Sequence, residues 1–546
     1  MAYPSLEQYN QAFQLHSRLL TDPELRSGTV ATTGLGLPLA ISGGFALTYT
    51  IKTSAKKYAV RCFHRESKAL ERRYEAISKR LAYLSSPYFL DFQFRPQGIK
   101  VEGAPYPIVK MAWAKGETLG EFLEDNSRNP QALAKLSVSL EALAAFLEKE
   151  KIAHGDFQTG NLMVSDGGAT VQLIDYDGMF VEEIRSLGSS ELGHVNFQHP
   201  KRKITNPFEP TLDRFSLISL WVALKALRED SSLWDTTNSE VDAIVFRAND
   251  FTDPGASPAF ALLSSRKSLA IDAKNFASIC ASPMEKAPSL ADFIAGKNIP
   301  TSAFEIKITG NIPVGKSKPG YIGAYDILSA LNYDACLSRV GDKVEVIGKI
   351  VDVRLNKAKN GKPYIFLNFG DWRGRIFKIS IWSEGLEALR AKPDSSWVGK
   401  WISIVGLMEP PYVSKQYKYS HLSITVNAVG QMTILPEADA RWRLSSPKGN
   451  SQPAPSIGTN QETLDRIKGK PVSAPATFAS SLAAASPNKA VLDKIRASSQ
   501  PAPTRRTAAP QPQPQPTSRQ IPGSAPRPVQ QPEKGIVAKI VSWLFG

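Results

Sequence analysis

The chain is 546 residues long, 42% hydrophobic, and carries 66 Lys and Arg against 51 Asp and Glu, a formal net charge of +15. At roughly 100–200 residues per domain it holds two to four domains. Its three cysteines, Cys62, Cys280 and Cys336, are too few and too far apart for a disulfide framework or a zinc site, so a reducing cytoplasm is expected. The opening MAYPSLEQYN has neither a basic start nor an apolar run, and no apolar stretch approaches the ~20 residues that cross a bilayer. Neither a secretory signal nor a transmembrane span is expected.

The charge is uneven. From Glu437 onward there are 15 Lys and Arg against 6 Asp and Glu, leaving 51 against 45 in the rest. A basic tail of this kind attracts polyanions or simply keeps a linker solvated.

Residues 1–38 read as an N-terminal extension, and residues 39–298 as a first domain that mixes strand and helix patterns. Its opening, PLAISGGFALTYTIKTSAKKYAVRCF, sets two β-rich runs around Gly43, Gly44 and Phe45, a hairpin whose backbone would lie close over phosphates. RESKALERRYEAISKRLAYL has helical periodicity, and PYPIVKMAWAKGETLGEFL reads as a strand, a connector and a helix start. NPQALAKLSVSLEALAAFLEKEKIA follows as an amphipathic helix and delivers the chain into AHGDFQTGNLMVSDGGATVQLIDYDG. In that stretch Asp156 is placed to accept a proton from an attacking hydroxyl. Asn161 and Asp175 supply oxygens for magnesium, as phosphoryl transfer requires. His154 would tie the loop by hydrogen bonds, and Asp177 is either a further metal ligand or an ordinary turn residue.

The order H-G-D-x-x-x-x-N then D-Y-D-G resembles the catalytic loop and metal-binding motif of protein kinases, and GHVNFQHP resembles the family's later G-T-P-E-Y-x-A-P stretch. Asp213 in LDRFSLISLWVAL is similar to the buried Asp that opens the family's central helix, which extends the likeness over roughly residues 39–298. The combination resembles bacterial Ser/Thr kinase-like proteins with an added nucleic-acid-binding type of domain. The resemblance implies a bilobal α+β domain using ATP and Mg2+ to phosphorylate Ser or Thr of a protein substrate. It implies Asp156 as catalytic residue, Asn161 and Asp175 at the metal, and Gly43, Gly44, Phe45, Arg61, Glu75, Met111 and Trp113 around the cofactor. Arg61 stands where the family has a strand lysine and would pair with Glu75, preferred over Glu71. Gln158 replaces a lysine that usually neutralises the transferring phosphate, and Lys201 replaces a glutamate. The alternative is a nucleotide-binding pseudokinase serving as a scaffold; a third reading is phosphorylation of a small molecule or nucleic acid. Ser186, Ser189 and Ser190 lie between the two motifs, and none marks a clear phosphosite.

A linker at 299–323 leads to residues 324–436. Short alternating runs there, with Asn360-Gly361 as a hairpin turn, read as five strands with a helix after the third. The pattern resembles an OB-fold barrel, which binds single-stranded nucleic acid by stacking bases on aromatics and tracking phosphates with cations. Tyr364, Phe366, Trp372, Arg373 and Lys362 are the nucleic-acid-binding candidates. Trp382, Tyr412, Arg354, Lys357, Lys359 and Arg375 stand close behind them. Strand aromatics also serve as core, and OB domains also bind proteins. Residues 437–533, rich in Pro, Ser and Ala, are expected to be a disordered basic linker. Residues 534–546 form a short apolar peptide suited to a partner's groove, a membrane surface or the chain's own barrel.

Overall fold

The computed structural model describes residues 3–32, 38, 40–42, 46–64, 68–301, 320–358, 361–389, 391–414, 419–426 and 430–446. Gly43, Gly44, Phe45, Lys359, Asn360, most of the linker, and everything from 447 on, tail and terminal peptide included, lie outside the described residues. What is described is mixed α+β, and among the described residues no helix is long and apolar enough to cross a membrane.

The first region opens with a sheet in which Ala46–Lys52 pairs Lys57–Phe63, which pairs Ala104–Ala112, which pairs Phe92–Val101, all antiparallel. The N-terminal extension belongs to this layer. Ser5 caps the helix Leu6–Gln14 in a reciprocal box with Gln8. Spacing of i, i+4 then puts Tyr9 and Phe13 on one helix face, where Phe13 stacks 3.8 Å from Tyr49 and the Tyr9 hydroxyl donates to the Phe63 carbonyl at 2.7 Å. Asp22 caps the turn Pro23–Arg26 and holds the buried Lys110 ammonium at 3.0 Å. One sheet face is thereby covered by residues 5–25, which bury Tyr9, Ala12, Phe13, Leu20 and Leu25 against it.

The helix Lys68–Leu84 covers the other face. Tyr74, Ile77 and Leu81 recur at three-four spacing and bury against Phe92 and Met111. Beyond the sheet, the capped helix Pro130–Glu150 packs on Arg214–Glu229. The hairpin Leu162–Ser165 with Thr170–Leu173 lies beside them, and Asp175 follows two residues past its end.

The second region departs from the expected five-stranded barrel. Its strands form two sheets, one ordered Ile327–Ser329, Lys343–Lys349, Trp401–Leu407, Met432–Leu435, the other Asp352–Lys357, Pro363–Asn368, Arg375–Ile381, Tyr419–Thr425, Tyr412–Ser414. The chain passes from one sheet to the other between Lys349 and Asp352, and Arg375–Ile381 runs parallel to Tyr419–Thr425. Trp401–Leu407 and Tyr419–Thr425 approach without a ladder between them, so hydrogen bonding does not close the ring among the described residues. Val346, Leu367, Phe377, Ile379, Ile404 and Ile424 fill the space between the sheets, the alternating inward set that period-two patterning demands. The helix Ser383–Ala388 follows the strand Arg375–Ile381, as the spacing predicts.

The two regions meet through a buried ionic node. Arg443, 3% exposed, reaches Glu240 of the first region at 2.5 Å and Glu345 of the second at 3.2 Å, while Arg247 also holds Glu240 at 2.6 Å. Asn249 adds two bonds to the backbone at Gly320 and Ile322.

Candidate functional site

The loop His154–Asn161 is fixed from three sides. Asp213, at the start of the helix Arg214–Glu229, accepts the backbone N–H groups of His154 at 2.5 Å and Gly155 at 2.9 Å. His154 Nε2 meets the Ile174 carbonyl at 2.8 Å, and the Ile174 N–H donates to the Asn161 carbonyl at 3.0 Å. These bonds bind the loop to the strand end that carries Asp175. At Gly155 the backbone itself excludes a side chain. Its φ is +81°, and a Cβ would stand 2.1 Å from the Gly178 carbonyl oxygen, so no side chain fits.

Asp156 accepts from three donors: the His194 N–H at 2.7 Å on Oδ1, then Gln158 Nε2 at 2.7 Å and Asn161 Nδ2 at 2.9 Å on Oδ2. Gln158 therefore orients the carboxylate. Asn161 spends its amide nitrogen on Asp156, on the main-chain oxygen as well as the carboxylate, which leaves its Oδ1 as the atom for a metal.

Arg61 departs from expectation. Its guanidinium, 13% exposed, grips Asp177 in a two-pronged pair at 2.9 and 2.8 Å and reaches Asp175 at 3.0 Å. Glu75 is not its partner: that carboxylate is 54% exposed and pairs with Lys79 at 2.7 Å. Glu71 is taken by the Tyr3 hydroxyl at 2.5 Å. The residue that faces Arg61 from the helix is Tyr74, which donates to Asp177 and lies beside the guanidinium. One helical residue is a rotation of about 100°, enough to send Glu75 to solvent while Tyr74 points inward. The spacing Tyr74–Ile77–Leu81 carries that signal in the sequence.

The cleft holds more negative charge than Arg61 neutralises. Removal from bulk water and the Asp177 carboxylate push Asp175 up to about 6. Burial, then Asp156, Asp177 and Asp175, push Glu191 well above the usual carboxylate range. Asp177 goes the other way: burial opposes its charge, but Arg61 and the Tyr74 hydroxyl hold it below its ordinary value. Glu191 is a cleft residue that motif reasoning missed, because it arrives from a loop with no period of its own.

An oxygen-only donor set in a carboxylate-rich cleft fits magnesium, which takes few protein ligands and keeps several waters. Among the described residues no group of three His, Cys, Asp or Glu forms a ready-made metal cage. Of the remaining cofactor candidates, Met111 is buried in the sheet core. Trp113 gives its backbone N–H to the Lys57 carbonyl at 2.9 Å and its ring face to the Lys57 ammonium at 3.5 Å. Lys201 donates to the carbonyls of Ala281 and Ser282 at 2.6 and 3.0 Å. It thereby finishes the helix Ala270–Ala281.

In the second region the candidates fall into two groups. Tyr364 and Phe366 share the outer side of Pro363–Asn368, with ring centroids 4.8 Å apart. Trp382, 42% exposed, joins them at 5.0 and 5.8 Å, and the Lys378 ammonium sits 3.7 Å over Phe366. Arg354 and Asn356 stand opposite Phe366 and Tyr364 in the neighbouring strand, so the face is aromatic and basic together. Lys362 is exposed at the end of this strand pair. Trp372 and Arg373 lie elsewhere, at the turn before Arg375–Ile381, where the guanidinium covers the indole at 4.7 Å and Trp372 meets Tyr419 edge-on.

Compared with known proteins, the chain matches no family model and no curated protein.

Proposed function

We propose that residues 39–298 form a bilobal, protein-kinase-like domain that transfers the terminal phosphoryl group of ATP to Ser or Thr of a protein substrate. The observation that carries this is the direct bond of Asn161 to Asp156 together with the bonds of His154 and Asn161 to Ile174, which tie the Asp156 loop to the segment bearing Asp175. Asp156 would receive the proton of the attacking hydroxyl, and Asn161 and Asp175 would hold Mg2+. The ion would supply charge neutralisation on the polyphosphate. Arg61 would meet the phosphates once nucleotide competes it away from Asp177. Labelled ATP with millimolar magnesium tests the assignment. Label appearing in protein and vanishing in Asp156→Ala supports it; no transfer to protein substrates by the intact chain refutes it.

One observation favours the second assignment, a pseudokinase scaffold. Arg61 is closed on Asp177 and Asp175, and Asp156 is saturated by three donors, an arrangement that stores a nucleotide site shut. Nucleotide binding without transfer distinguishes it.

For residues 324–436 the strand order, the parallel pairing of Arg375–Ile381 with Tyr419–Thr425 and the intervening helix support an OB-type module. Its aromatic-basic face suits single-stranded nucleic acid, recruiting the first domain to a nucleoprotein substrate. The three cysteines are unpaired and buried, in keeping with a reducing cytoplasm.

A further inference from the structure

A short series of bonds leads from the Asp156 carboxylate to the second region. The His194 N–H holds Asp156 Oδ1, and the His194 ring is fixed in turn on Nδ1 by the Asn196 N–H at 3.3 Å. Asn196, 7% exposed, spends both ends of its amide on one segment. Its Nδ2 donates to the Asp242 carbonyl at 3.0 Å, and its Oδ1 accepts the Ala248 N–H at 3.0 Å.

The residues on either side of Ala248 carry the second region. Arg247 holds Glu240, which Arg443 shares, and Asn249 takes the backbone at Gly320 and Ile322. Val241 is wedged between Gly430 of the second region and Gly120 of the first. A Cβ on Gly430 would stand 2.8 Å from the Val241 Cβ, and one on Gly120 2.4 Å from its Cγ1. The Gly120 N–H meets the Thr159 carbonyl, inside the Asp156 loop, at 3.4 Å. Asn196, Glu240, Tyr321, Glu345 and Arg443 also share one small polar cavity of about 20 Å³.

We propose that Asn196 is a positioning residue that makes the orientation of the Asp156 carboxylate depend on the docked second region. Of the three donors on Asp156, Gln158 and Asn161 belong to its own loop; the His194 N–H alone comes from outside. That donor is set by Asn196, and Asn196 is set by residues 242–248. With the second region docked, that segment is gripped through Glu240, Val241 and Asn249. Without it, the segment keeps only the Glu240–Ala243 turn and the pair of Glu240 with Arg247. A carboxylate misplaced by ~1 Å from its reacting geometry loses about a hundredfold in rate, so a small slackening here reaches the chemistry. The kinetic consequence rests on the reading of Asp156 as the base for transfer; the mechanical coupling does not.

The test follows the full chain by hydrogen exchange at the His194 amide and by steady-state transfer from labelled ATP. Asn196→Ala and Arg443→Met should each speed exchange of that amide at least tenfold, while the helix Pro130–Glu150 exchanges as in the parent. Each should lower kcat at least tenfold and leave the KM for ATP within twofold. In the double variant the losses should not multiply, because both changes act on one path. Unchanged exchange at His194, or equal acceleration in the reference helix, overturns the proposal whatever the activity. Losses in kcat that multiply, or a kcat within twofold of an active parent despite faster exchange, overturn it as well. A parent chain without transfer refutes the kinase reading alone, and faster exchange confined to the His194 segment then supports the coupling.

Discussion

Arg443 is the residue on which the junction between the two folded regions turns. Its guanidinium is 3% exposed and satisfies Glu345, itself 4% exposed, as well as Glu240 and Asp439. In Arg443→Met the volume is nearly kept and the charge is lost. Glu240 retains Arg247, but Glu345 retains only neutral donors, the Ser403 hydroxyl at 2.7 Å and the Tyr321 hydroxyl at 3.4 Å. Removing one partner of a buried ion pair costs about 3–5 kcal/mol. Because Glu240 keeps a cation, the low end applies, about 3 kcal/mol, or roughly a hundredfold in an opening equilibrium. Hydrogen exchange of the strand Lys343–Lys349 should therefore accelerate by about two orders of magnitude. Burial already raises the Glu345 pKa against the pull of Arg443, so losing the cation raises it further. A carboxyl with a raised folded pKa loses stability as pH rises, so the deficit of the variant should be larger at pH 8 than at pH 5. Adding Glu345→Gln should recover much of it. Exchange within threefold of the parent at pH 8 would refute the idea that this node holds the regions together.

Gly155→Ala should cost about 2–3 kcal/mol and abolish phosphoryl transfer, since its Cβ meets the Gly178 carbonyl at 2.1 Å in a left-handed backbone; an unchanged melting temperature would contradict this. His199 is 2% exposed, takes the Lys201 N–H on Nδ1 at 3.2 Å and meets the Ile279 carbonyl through Nε2 at 3.1 Å, so only the neutral ring fits. Burial lowers its pKa from 6.5 to about 4, so stability should fall as pH drops from 6.5 toward 4, by about 3 kcal/mol in all. Urea melts of His199→Gln, with the slope removed over that window, check it. Phe366→Ala should weaken single-strand binding by about 1–3 kcal/mol and leave the salt slope intact, whereas Lys378→Gln should reduce the slope; a binding titration across salt concentrations separates the two.

Local order was legible in the amino-acid sequence because helical and strand periods repeat within a few residues. The helix Pro130–Glu150, the strands around Asn161 and Asp175, and the helix after Arg375–Ile381 all follow from such repeats. The loop carrying Asp156 was legible too, since its polar residues stand close together in the chain. Other features depended on where distant segments meet. The Tyr74 spacing turned Glu75 outward, but that Arg61 would close on Asp177 depended on bringing residues 61 and 177 together. Residues 5–25 became a layer of the first region because a sheet face needed covering, and Arg443 reached across to Glu240. Sheet closure was decided the same way: alternation along a strand says which side is buried, but not which strand hydrogen-bonds its edge. Long-range ion pairs leave no period in the sequence, so only the folded chain selects them.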